Sequence, residues 1–417
     1  MTAKRSLDVR TTHPTRSTAE RSEGRNGECI LDRETAICAR PRPTAQPRIQ
    51  RQFGEVMRVL VLTPYPYGTT AGPRSSFELW ERVLREAGIW FDYAVFETDR
   101  LHRILYARGR GAQKAVEMAR AYVQFIPKLR RVDEYDAVLV NREATLIGPA
   151  IVERWVARRG KPLIYLLDDP LYIPYRSPAN GWLSYLKFFG KVKTLCRSSA
   201  VILANSPSHY AFACRYNANV WEIPSLVDGE LYTGWQPHPH RAREPVRVGW
   251  SGSPSTTANL QVIRRSLQTL SARSDVELVM IGPPDFGLPE VPHTRVPWRA
   301  ETEVEDLRRL DVGLVPVPLT RWTPHKFFLK LVQYMALGIP PVATPLGSNA
   351  TVITNGETGF LATDDAEWQR TVGRLVDDAQ LRDQIGQRAA ALAHERFTLQ
   401  SNAEKIVAAF RSVPFAT

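Results

Sequence analysis

The stretch that decides the fold is residues 324–349, PHKFFLKLVQYMALGIPPVATPLGSN. Apolar residues recur with a helical period over 327–337, so this part is predicted to be a helix with one buried face. Gly338 follows where a left-handed helix cap is favoured, and Pro340 prevents the helix from continuing. The apolar residues 341–343 then predict a buried strand, and a polar loop ends the stretch. A helix that leads into a buried strand is typical of a parallel α/β sheet.

The same alternation of short apolar runs and helical stretches extends outward along the chain. Strands are predicted at residues 58–63, 91–96, 137–141, 163–167, 201–205, 246–251, 276–281, 312–316 and 341–343. Helices are predicted at residues 75–87, 255–270, 303–310 and 327–337. Thr302, with Glu305 three residues later, predicts a capping box at the start of the third of these helices. Because helices lie between several of the strands, the strands are predicted to be mainly parallel and covered on both faces.

A polar stretch rich in proline and histidine, residues 236–245, divides the strands into two series. We therefore predict an α/β protein of two Rossmann-like, doubly wound domains that face a cleft. The first domain is expected at 57–240 and the second at 241–395. Ligands of such sheets bind beyond the carboxyl ends of the strands, so the predicted cleft is the expected functional site.

Composition limits where the protein acts. Residues 1–56 are rich in Arg, Thr, Ser and Pro without an apolar period and are predicted to be disordered. Met57 is a candidate for the true start, and a native flexible arm is the alternative.

No apolar run approaches the ~20 residues that span a bilayer, and no secretory signal is evident. The four cysteines have no metal-ligand spacing and are interpreted as reduced thiols. A cytoplasmic protein is expected, and its formal charge of +12 indicates an anionic partner.

Glycine-containing loops follow several predicted strands and are suited to bind an anion. Gly72 and Arg74 lie in the loop after the first strand, and Gly252 and Ser253 follow the first strand of the second series. Gly282 ends the next strand in the same way. Backbone N–H groups and the helix dipole attract phosphate at such positions. None of these loops has a GxGxxG spacing, so ordinary strand-to-helix turns remain the alternative.

Lys326, Lys330 and Gln333 recur at helical spacing in the opening stretch. This spacing predicts one polar stripe along a helix whose other face is apolar. Such a stripe is usually a solvated face. Here a buried strand and a Gly-Ser-Asn loop follow the helix, which favours a position of its first turn near the cleft.

This part of the sequence resembles the donor-binding signature of the retaining glycosyltransferases of family 4. The resemblance is most specific in KLVQYMALGIPPVATPLG at 330–347 and NGETGFL at 355–361. It extends more weakly through residues 142–144, 168–169, 223–228, 296–298 and 311–316, and it covers most of 57–410.

The resemblance implies a GT-B fold and a nucleotide-diphosphate sugar that is bound as a substrate, with no cofactor. Similar enzymes usually have two glutamates eight positions apart, where this sequence has His325 and Gln333. Gln333 can still bind ribose hydroxyls, whereas His325 can contact a sugar hydroxyl but supplies no carboxylate. Lys326 and Lys330 match the basic positions that face the diphosphate. The resemblance also implies donor contacts from Trp298, Gly347, Ser348 and Asn349, and a last helix, within 396–417, that returns to the first domain.

The chemistry of sugar transfer explains the need for these cations. Negative charge grows on the departing diphosphate, and preorganised cations stabilise it. With lysines in place a metal is not required, and the sequence has no Asp-X-Asp motif on a predicted loop. Glu143 is the acidic candidate that would orient the acceptor hydroxyl or take its proton. The alternatives are an ion pair with Arg142 and an ordinary surface residue. For Asp168 and Asp169, structural capping is favoured over acceptor polarity.

Residues 100–131 contain nine Lys or Arg and one acid, Glu117, among aromatic and aliphatic residues. A basic amphipathic helix of this kind suits an anionic membrane surface, so peripheral membrane contact is predicted. A solvated helix that packs on its own domain is the alternative. No nucleic-acid partner is expected, because the charge is not part of a recognised reading motif.

The leading interpretation is a metal-independent, retaining glycosyltransferase with the donor on 246–360 and the acceptor on 57–235. One alternative is a catalytically silent GT-B protein that binds a nucleotide or a partner. A sugar-nucleotide epimerase of similar architecture is another, and a non-enzymatic membrane or nucleic-acid module that uses 100–131 is the third.

Overall fold

The computed structural model describes residues 56–105, 109–175, 181–233 and 245–414. In these residues the chain forms two parallel sheets of six strands each. The predicted tail, apart from Val56, and almost all of the polar divider at 236–245 lie outside the described residues.

The first sheet is formed by the first half of the chain. Its strands are β1 (Met57–Thr63), β2 (Ile89–Val95), β3 (Ala137–Asn141), β4 (Leu163–Leu167), β5 (Val201–Ala204) and β6 (Val220–Glu222). They lie in the order β2-β1-β3-β4-β5-β6. Because β1 pairs with β2 on one side and β3 on the other, the chain changes direction across the sheet at β1. This is the switch point at which doubly wound sheets bind ligands.

The second sheet repeats this arrangement. Its strands are β7 (Val246–Ser251), β8 (Val276–Gly282), β9 (Thr294–Pro297), β10 (Val312–Val315), β11 (Pro341–Ala343) and β12 (Phe360–Leu361). Their order is β12-β11-β10-β7-β8-β9. The strand β7 pairs with β8 and β10, so it marks the switch point of this sheet.

Helices cover both faces of both sheets. In the first half they are α1 (Ala71–Arg74), α2 (Phe77–Glu86), α3 (Asp99–Leu105), α4 (Gly111–Leu129), α5 (Ile151–Arg158), α6 (Lys191–Ser198) and α7 (Pro207–Cys214). In the second half they are α8 (Arg264–Ser271), α9 (Glu303–Arg308), α10 (Leu329–Ala336), α11 (Ser348–Val352), α12 (Asp365–Asp377), α13 (Ala379–Arg396) and α14 (Leu399–Arg411).

Strand residues alternate between the two covered faces of the first sheet. Leu60 and Leu62 belong to the core that contains Phe125, whereas Val59 and Val61 face the opposite core. Buried parallel strands are apolar on both faces for this reason. The prediction of two doubly wound parallel sheets is therefore confirmed.

Short edge strands were missed by the sequence analysis. The strands β6 and β12 have three and two residues, and much of β9 is exposed, so none shows a buried apolar run. The predicted helix at 255–270 is a 3-10 helix, Thr257–Ile263, followed by α8.

The end of α10 confirms one capping prediction, and the start of α9 contradicts the other. Gly338 adopts a φ of 69°, the left-handed cap expected there. The predicted capping box is wrong, because the Thr302 side chain caps no backbone N–H group. Its hydroxyl instead donates to the Asp306 carboxylate at 2.7 Å, and Glu305 remains exposed.

The last helix, α14, packs with the first half of the chain. Leu399, Ile406 and Phe410 are buried in the same core as Val59 and Trp80. No helix in the described ranges is both long and apolar enough to cross a bilayer.

Candidate active site

The carboxyl ends of the central strands meet where the two halves face each other. We call this contact surface the seam. It is defined by four contacts: Asp169 with Lys326, Ser206 with His325, Arg74 with Glu303, and Tyr175 with Trp322. Both switch points supply residues next to it, so it is the part of the molecule in which a ligand is expected.

A partly buried arginine lies at the switch point of the first sheet. Arg142 follows β3 directly and has a φ of 60°, a backbone conformation that a non-glycine residue rarely adopts. Its side chain contacts the carboxylates of Asp168 and Asp169, each at 2.8 Å, and donates to the Tyr65 hydroxyl at 3.1 Å. Burial alone would lower the pKa of Arg142, but the two carboxylates raise it well above its usual value. The guanidinium is therefore a fixed positive charge.

Lys326 extends this network across the seam. Its Nζ lies 3.1 Å from Oδ1 of Asp169. The other oxygen of this carboxylate, Oδ2, contacts Arg142. Burial would raise the pKa of Asp169, but Arg142 and Lys326 lower it to about 2. Asp168 and Asp169 thus bind cations, and the structural capping favoured from the sequence is wrong for their carboxylates.

Gly72 packs closely against this cluster. A Cβ atom on Gly72 would lie 3.0 Å from Oδ2 of Asp168 and 3.1 Å from Nη2 of Arg142. A larger residue would therefore require these two side chains to shift by a few tenths of an ångström.

Arg74 and Trp298, both predicted donor contacts, meet across the seam. Arg74 forms a salt bridge of 3.0 Å with Glu303, and its guanidinium lies 5.1 Å from the centre of the Trp298 ring. The indole N–H of Trp298 donates to the same Glu303 at 3.0 Å. With 39% of its surface exposed, Trp298 leaves one side of this cluster open to solvent.

The second sheet presents a buried lysine at its switch point. Nζ of Lys330 lies 4.1 Å from the centre of the Trp250 ring, on the strand β7. The residue as a whole is partly exposed, but its nitrogen is buried and has no hydrogen-bond partner among the described residues. Burial lowers the pKa of Lys330 to about 7. A cation held on an aromatic face without an anion is suited to receive one.

The predicted polar stripe is only partly correct. The helix α10 begins at Leu329, so Lys326 precedes it and belongs to the loop. Gln333 is buried and donates to the Tyr232 hydroxyl at 2.7 Å. The three side chains therefore have different environments, and none is fully solvated.

The loop after β11 holds the segment 323–328 in place. Ser348 accepts from the backbone N–H of Phe328 at 2.8 Å and donates its own N–H to the Lys326 carbonyl at 3.0 Å. Gly347 has a φ of 54°, and a Cβ there would lie 2.4 Å from that carbonyl. Asn349 is fully buried and donates to the Thr344 carbonyl at 3.0 Å. These contacts give the loop a scaffolding role, and its direct donor contact stays a prediction.

Gly252 and Ser253 follow β7, close to the end of β8. The backbone N–H of Gly252 donates to the Ile281 carbonyl at 3.0 Å, and Ser253 forms local bonds with Thr256. A Cβ on Gly252 would lie 2.3 Å from the Trp250 ring, so the glycine allows the loop to fold over that tryptophan.

Glu143 is already paired. Its carboxylate contacts Nζ of Lys191 at 2.5 Å and lies 3.9 Å from that of Lys187. The ion pair with Arg142, the alternative considered from the sequence, is wrong, because Arg142 points to the Asp168 side. Whether Glu143 assists an acceptor stays a prediction.

His325 lies at the seam beside a second histidine that the sequence analysis missed. Both His325 and His209 pack edge-on against Tyr172, with ring centres 6.1 Å and 5.9 Å from it. The Ser206 hydroxyl donates to the His325 carbonyl at 3.1 Å. His209 gave no signal in the sequence, because a lone histidine on a short helix has no motif around it.

Several buried nitrogens at or next to the seam have no hydrogen-bond partner within the described ranges. They are Nε2 of His209, Nε1 of Trp322, Nδ1 of His325 and Nζ of Lys330. Buried polar groups are normally paired. Unpaired atoms also occur in the cores, at Trp80 and Trp368 for example, so these four nitrogens are consistent with a ligand site at the seam without marking one. In the same ranges no group of three or more His, Cys, Asp or Glu is arranged to hold a metal ion.

Comparisons with known proteins agree with this architecture. Residues 245–378 match the family model of the glycosyl transferases group 1. The D-inositol 3-phosphate glycosyltransferase of Paenarthrobacter aurescens is 31% identical over 240 residues, which cover 51% of this chain and 57% of that enzyme. The chain thus spans a little over half the length of the curated relatives it matches.

Solved structures share the fold over most of the chain. HepE of Anabaena, in complex with UDP and glucose, has a TM-score of 0.60 at 16% identity and covers 85% of this chain and 100% of its own. Sucrose-phosphate synthase of Thermosynechococcus elongatus has a TM-score of 0.62 at 14% identity and covers 86% of this chain and 98% of its own. The chain therefore has the GT-B fold, and its residues 245–378 are similar to the glycosyl transferases group 1.

Proposed function

We propose that this protein is a glycosyltransferase that moves a sugar from a nucleoside-diphosphate donor to an acceptor hydroxyl. The donor is bound by the second half of the chain and the acceptor by the first. The observation that carries the proposal is the unpaired, buried ammonium of Lys330 on the Trp250 ring, inside the residues that match the group 1 family.

Lys330 is suited to the diphosphate because the group that leaves is an anion. Cleavage of the bond between the anomeric carbon and the phosphate oxygen leaves negative charge on that oxygen. A lysine without another partner interacts most strongly with the phosphate when this bond breaks and the charge develops. Charge stabilisation of this kind is often the largest catalytic contribution. We propose that this charge replaces a metal ion.

Lys326 supplies a second charge that can change partners. In the ligand-free protein it neutralises Asp169, which Arg142 also holds. A donor phosphate would compete for Lys326, while Arg142 continues to neutralise Asp169. Asp168 and Asp169 would then share the single positive charge of Arg142, and the interaction of Lys326 with the phosphate has to offset the lost ion pair.

Gln333 and Trp298 are proposed to contact the nucleoside. The Gln333 amide donates to Tyr232, and its oxygen remains to accept from a ribose hydroxyl. Trp298 offers a partly exposed ring beside Arg74. The resemblance to family 4 supports retention of configuration at the anomeric carbon.

The decisive test measures binding and turnover together. The full chain is incubated with UDP-, GDP-, ADP- and dTDP-glucose, and both the thermal shift and the release of nucleoside diphosphate are recorded. A donor at ~100 times its dissociation constant adds ~2.7 kcal/mol of stability. We expect one base to stabilise the protein and to support sugar transfer when acceptors are added.

Other outcomes identify the alternatives. Binding without turnover on any acceptor would favour a silent GT-B protein. Conversion of the donor sugar with no acceptor present would favour an epimerase. No stabilisation by any nucleotide would contradict a nucleotide-sugar site.

We also propose that α4 contacts an anionic membrane surface. Its inner face buries Ala121, Phe125 and Leu129 in the first core. Its outer face leaves Val123 and Ile126 exposed, at 70% and 50%. Exposed cations occur on α3, along α4 and at its two ends: Arg103, Arg110, Arg120, Lys128, Arg130 and Arg131. An apolar strip among cations suits the boundary between headgroups and acyl chains.

Vesicle sedimentation tests this surface. The protein is expected to sediment with vesicles that contain phosphatidylglycerol and to stay in solution with neutral ones. The double variant Val123→Asp/Ile126→Asp should lose this binding. Leu319→Asp, at a residue that is 77% exposed on the second half, is the matched control. Equal binding of all three proteins would contradict the proposal.

A further inference from the structure

Exposed apolar side chains are concentrated in one region of the first half. Of the fourteen exposed large hydrophobic residues in the part of the chain that the structure describes, eight lie on α4, at the start of α5 or in the segment 175–188. They are Val116, Val123, Ile126, Ile151, Tyr175, Tyr185, Leu186 and Phe188. Apolar residues exposed singly need no explanation, whereas a concentration of them indicates an interaction surface.

Tyr185, Leu186 and Phe188 are exposed at the end of the 3-10 helix Gly181–Lys187, and we call these three residues the ridge. The backbone of Phe188 has a φ of 53°, which is rare for a bulky residue, and its N–H donates to the Tyr185 carbonyl at 3.1 Å. A conformation of this kind costs free energy and occurs mainly at functional sites. The chain thus exposes an aromatic ring on a strained backbone.

Hydrogen bonds connect the ridge to α4. The Leu186 carbonyl accepts from the backbone N–H of Gly148 at 2.7 Å. The Ile147 carbonyl, one residue earlier, accepts from the Tyr122 hydroxyl of α4 at 2.7 Å. Ile126, one helical turn after Tyr122, belongs to the exposed apolar strip of α4. The ridge therefore lies beside the surface that is proposed to contact a membrane.

A lysine within the ridge is only loosely paired. Nζ of Lys187 lies 3.9 Å from the Glu143 carboxylate, and 39% of the lysine side chain is exposed. Glu143 is already neutralised by Lys191, whose buried Nζ lies 2.5 Å from it. Glu97, a second carboxylate that interacts electrostatically with Lys187, is bonded to His102 at 2.6 Å. Lys187 therefore has positive charge available for an anion next to the ridge.

The same lysine is also close to the seam. Glu143 directly follows Arg142, whose guanidinium contacts Asp169 of the seam at 2.8 Å. Leu171, two residues after Asp169, lines a small cavity together with Lys187. Lys187 is thus a neighbour of the apolar ridge and of the residues that lead to the proposed reaction centre.

We infer that the acceptor is an amphiphile whose apolar chain lies on the ridge, whose phosphate binds Lys187 and whose hydroxyl-bearing headgroup enters the seam. Apolar surface, an available cation and the proposed reaction centre follow one another here, and chain, phosphate and hydroxyl follow one another in such a molecule. A soluble sugar would use neither the ridge nor the cation. The inference rests on the proposed function and names the class of acceptor.

Calorimetry on the full chain tests the contributions of chain and charge separately. The probes are lauroyl lysophosphatidylglycerol below its critical micelle concentration, glycerophosphoglycerol, which lacks the chain, and lauroyl lysophosphatidylcholine, whose headgroup has no net charge. The first is expected to bind at least about tenfold more tightly than the second, since burial of about two methylene groups contributes this factor. It should also bind more tightly than the third.

Two variants assign these contributions to residues. Tyr185→Ser/Phe188→Ser should reduce the affinity for lysophosphatidylglycerol to that for glycerophosphoglycerol. Lys187→Gln should remove the preference over lysophosphatidylcholine and retain the gain from the chain. Leu319→Ser, at an exposed residue of the second half, is the matched control and should bind as the wild type. The substituted side chains are exposed or half-exposed, so the fold should persist. A gain from the chain that survives in the double variant overturns the inference.

Photo-crosslinking locates the headgroup. A diazirine on the glycerol of lysophosphatidylglycerol should label peptides that contain residues 168–175 or 322–326, and labelling confined to α4 overturns the inference. Val123→Asp/Ile126→Asp should lose vesicle sedimentation but still bind the dissolved probe. If it loses the probe while the ridge variant keeps it, α4 alone holds the chain, which also overturns the inference.

Stabilisation by nucleotides separates this inference from the proposed function. Every variant named here should be stabilised by the same nucleotide as the wild type. If that stabilisation and sugar transfer to soluble acceptors are found but lysophosphatidylglycerol does not bind, the inference is overturned and the proposed function stands. If no nucleotide stabilises the wild type, the proposed function fails and the inference fails with it.

Discussion

At the scale of single residues, the molecule places an ionisable nitrogen where solvent cannot reach it. Lys330 lies on Trp250 with a buried nitrogen, and no carboxylate among the described residues is paired with it. A buried ammonium is costly, and burial lowers its pKa to about 7. Proteins retain such groups mainly at functional sites, because a ligand can complete them.

Lys330→Met should reduce turnover by roughly 100–1000-fold, the usual cost of removing one group that stabilises developing charge. The methionine keeps the contact with Trp250, so the fold should persist. Initial rates at saturating donor measure the loss. Lys405→Met, at an exposed lysine of α14, should behave as the wild type. Unchanged kinetics in Lys330→Met would remove this residue from the mechanism.

The pH dependence of nucleotide binding follows from the same residue. A bound diphosphate requires the charged form of Lys330, whose pKa is about 7 in the free protein. The affinity for UDP, or for whichever nucleotide binds, should therefore fall about tenfold per pH unit above pH ~8. Titration calorimetry from pH 7 to pH 9 measures this slope. The slope should vanish in Lys330→Met, and a persistent slope would assign it to another group.

Stability should change with pH in the opposite direction. The folded pKa of Lys330 lies below the unfolded value of ~10.4, so between them the unfolded chain binds more protons. The contribution of Lys330 to the free energy of unfolding should therefore rise with pH from about 7 towards about 10. Urea unfolding of wild type and Lys330→Met, without ligand, isolates this contribution as the difference of two curves. A constant difference across the range would contradict the low pKa.

The sequence names candidate residues but does not predict their environment. Lys326, Lys330 and His325 are candidates because a signature and a spacing mark them, and their function stays a prediction. The contacts with Trp250 and Asp169, and that of Gln333 with Tyr232, come from distant strands and loops, so no local pattern predicts them. His209 was missed, since its contacts exist only in the folded chain.

At the scale of elements, one turn determines where the cleft residues lie. The loop at Gly347 and Ser348 binds the backbone of residues 323–328, which carries His325 and Lys326. That segment is short and irregular, so it depends on the loop for its shape. The position of these residues thus depends on contacts to the backbone of the segment, one of them from the Ser348 hydroxyl.

Gly347→Ala should disrupt this arrangement. The residue has a φ of 54°, and a Cβ would lie 2.4 Å from the Lys326 carbonyl and 2.7 Å from that of Thr323. We expect a loss of ~2–3 kcal/mol in the free energy of unfolding, together with a fall in donor affinity. Gly356→Ala is the matched control, because its φ is 81° but the space around it is open. It should cost only ~1 kcal/mol, and equal losses would show that the clash is unimportant.

Strands could be predicted from the sequence where several consecutive residues are apolar and buried. The central strands of both sheets have apolar residues on both faces, and all were found to within a few residues. The edge strands β6, β9 and β12 were not, because they are short or half-exposed and their pairing comes from the neighbouring strand. The capping box was predicted wrongly because the Thr302 hydroxyl donates to the Asp306 carboxylate and does not accept from a backbone N–H group.

At the scale of the whole molecule, the last helix joins the end of the chain to its beginning. Phe410 of α14 is fully buried, and its ring lies 5.6 Å from that of Phe91 on β2. The first half therefore lacks a complete core until the final residues have been added.

Phe410→Ala should cost ~3–5 kcal/mol in the free energy of unfolding, as expected for a large cavity in a packed core. Guanidinium unfolding followed by tryptophan fluorescence provides the measurement. Lys405→Ala, on the exposed side of the same helix, should stay within ~0.5 kcal/mol of the wild type. A small effect of Phe410→Ala would mean that α14 contributes little to the first core.

Close to where the chain passes from one half to the other, two backbone hydrogen bonds join Val227 to the segment 397–399. The backbone N–H of Val227 donates to the Phe397 carbonyl at 3.0 Å, and that of Leu399 donates to the Val227 carbonyl at 2.9 Å. Any movement of the halves relative to each other must therefore either pivot near these two bonds or break them. The ring of Phe327, which follows Lys326 directly, lies 5.9 Å from that of Phe397. The segment that carries His325 and Lys326 is thus attached next to the place where the two connections are joined.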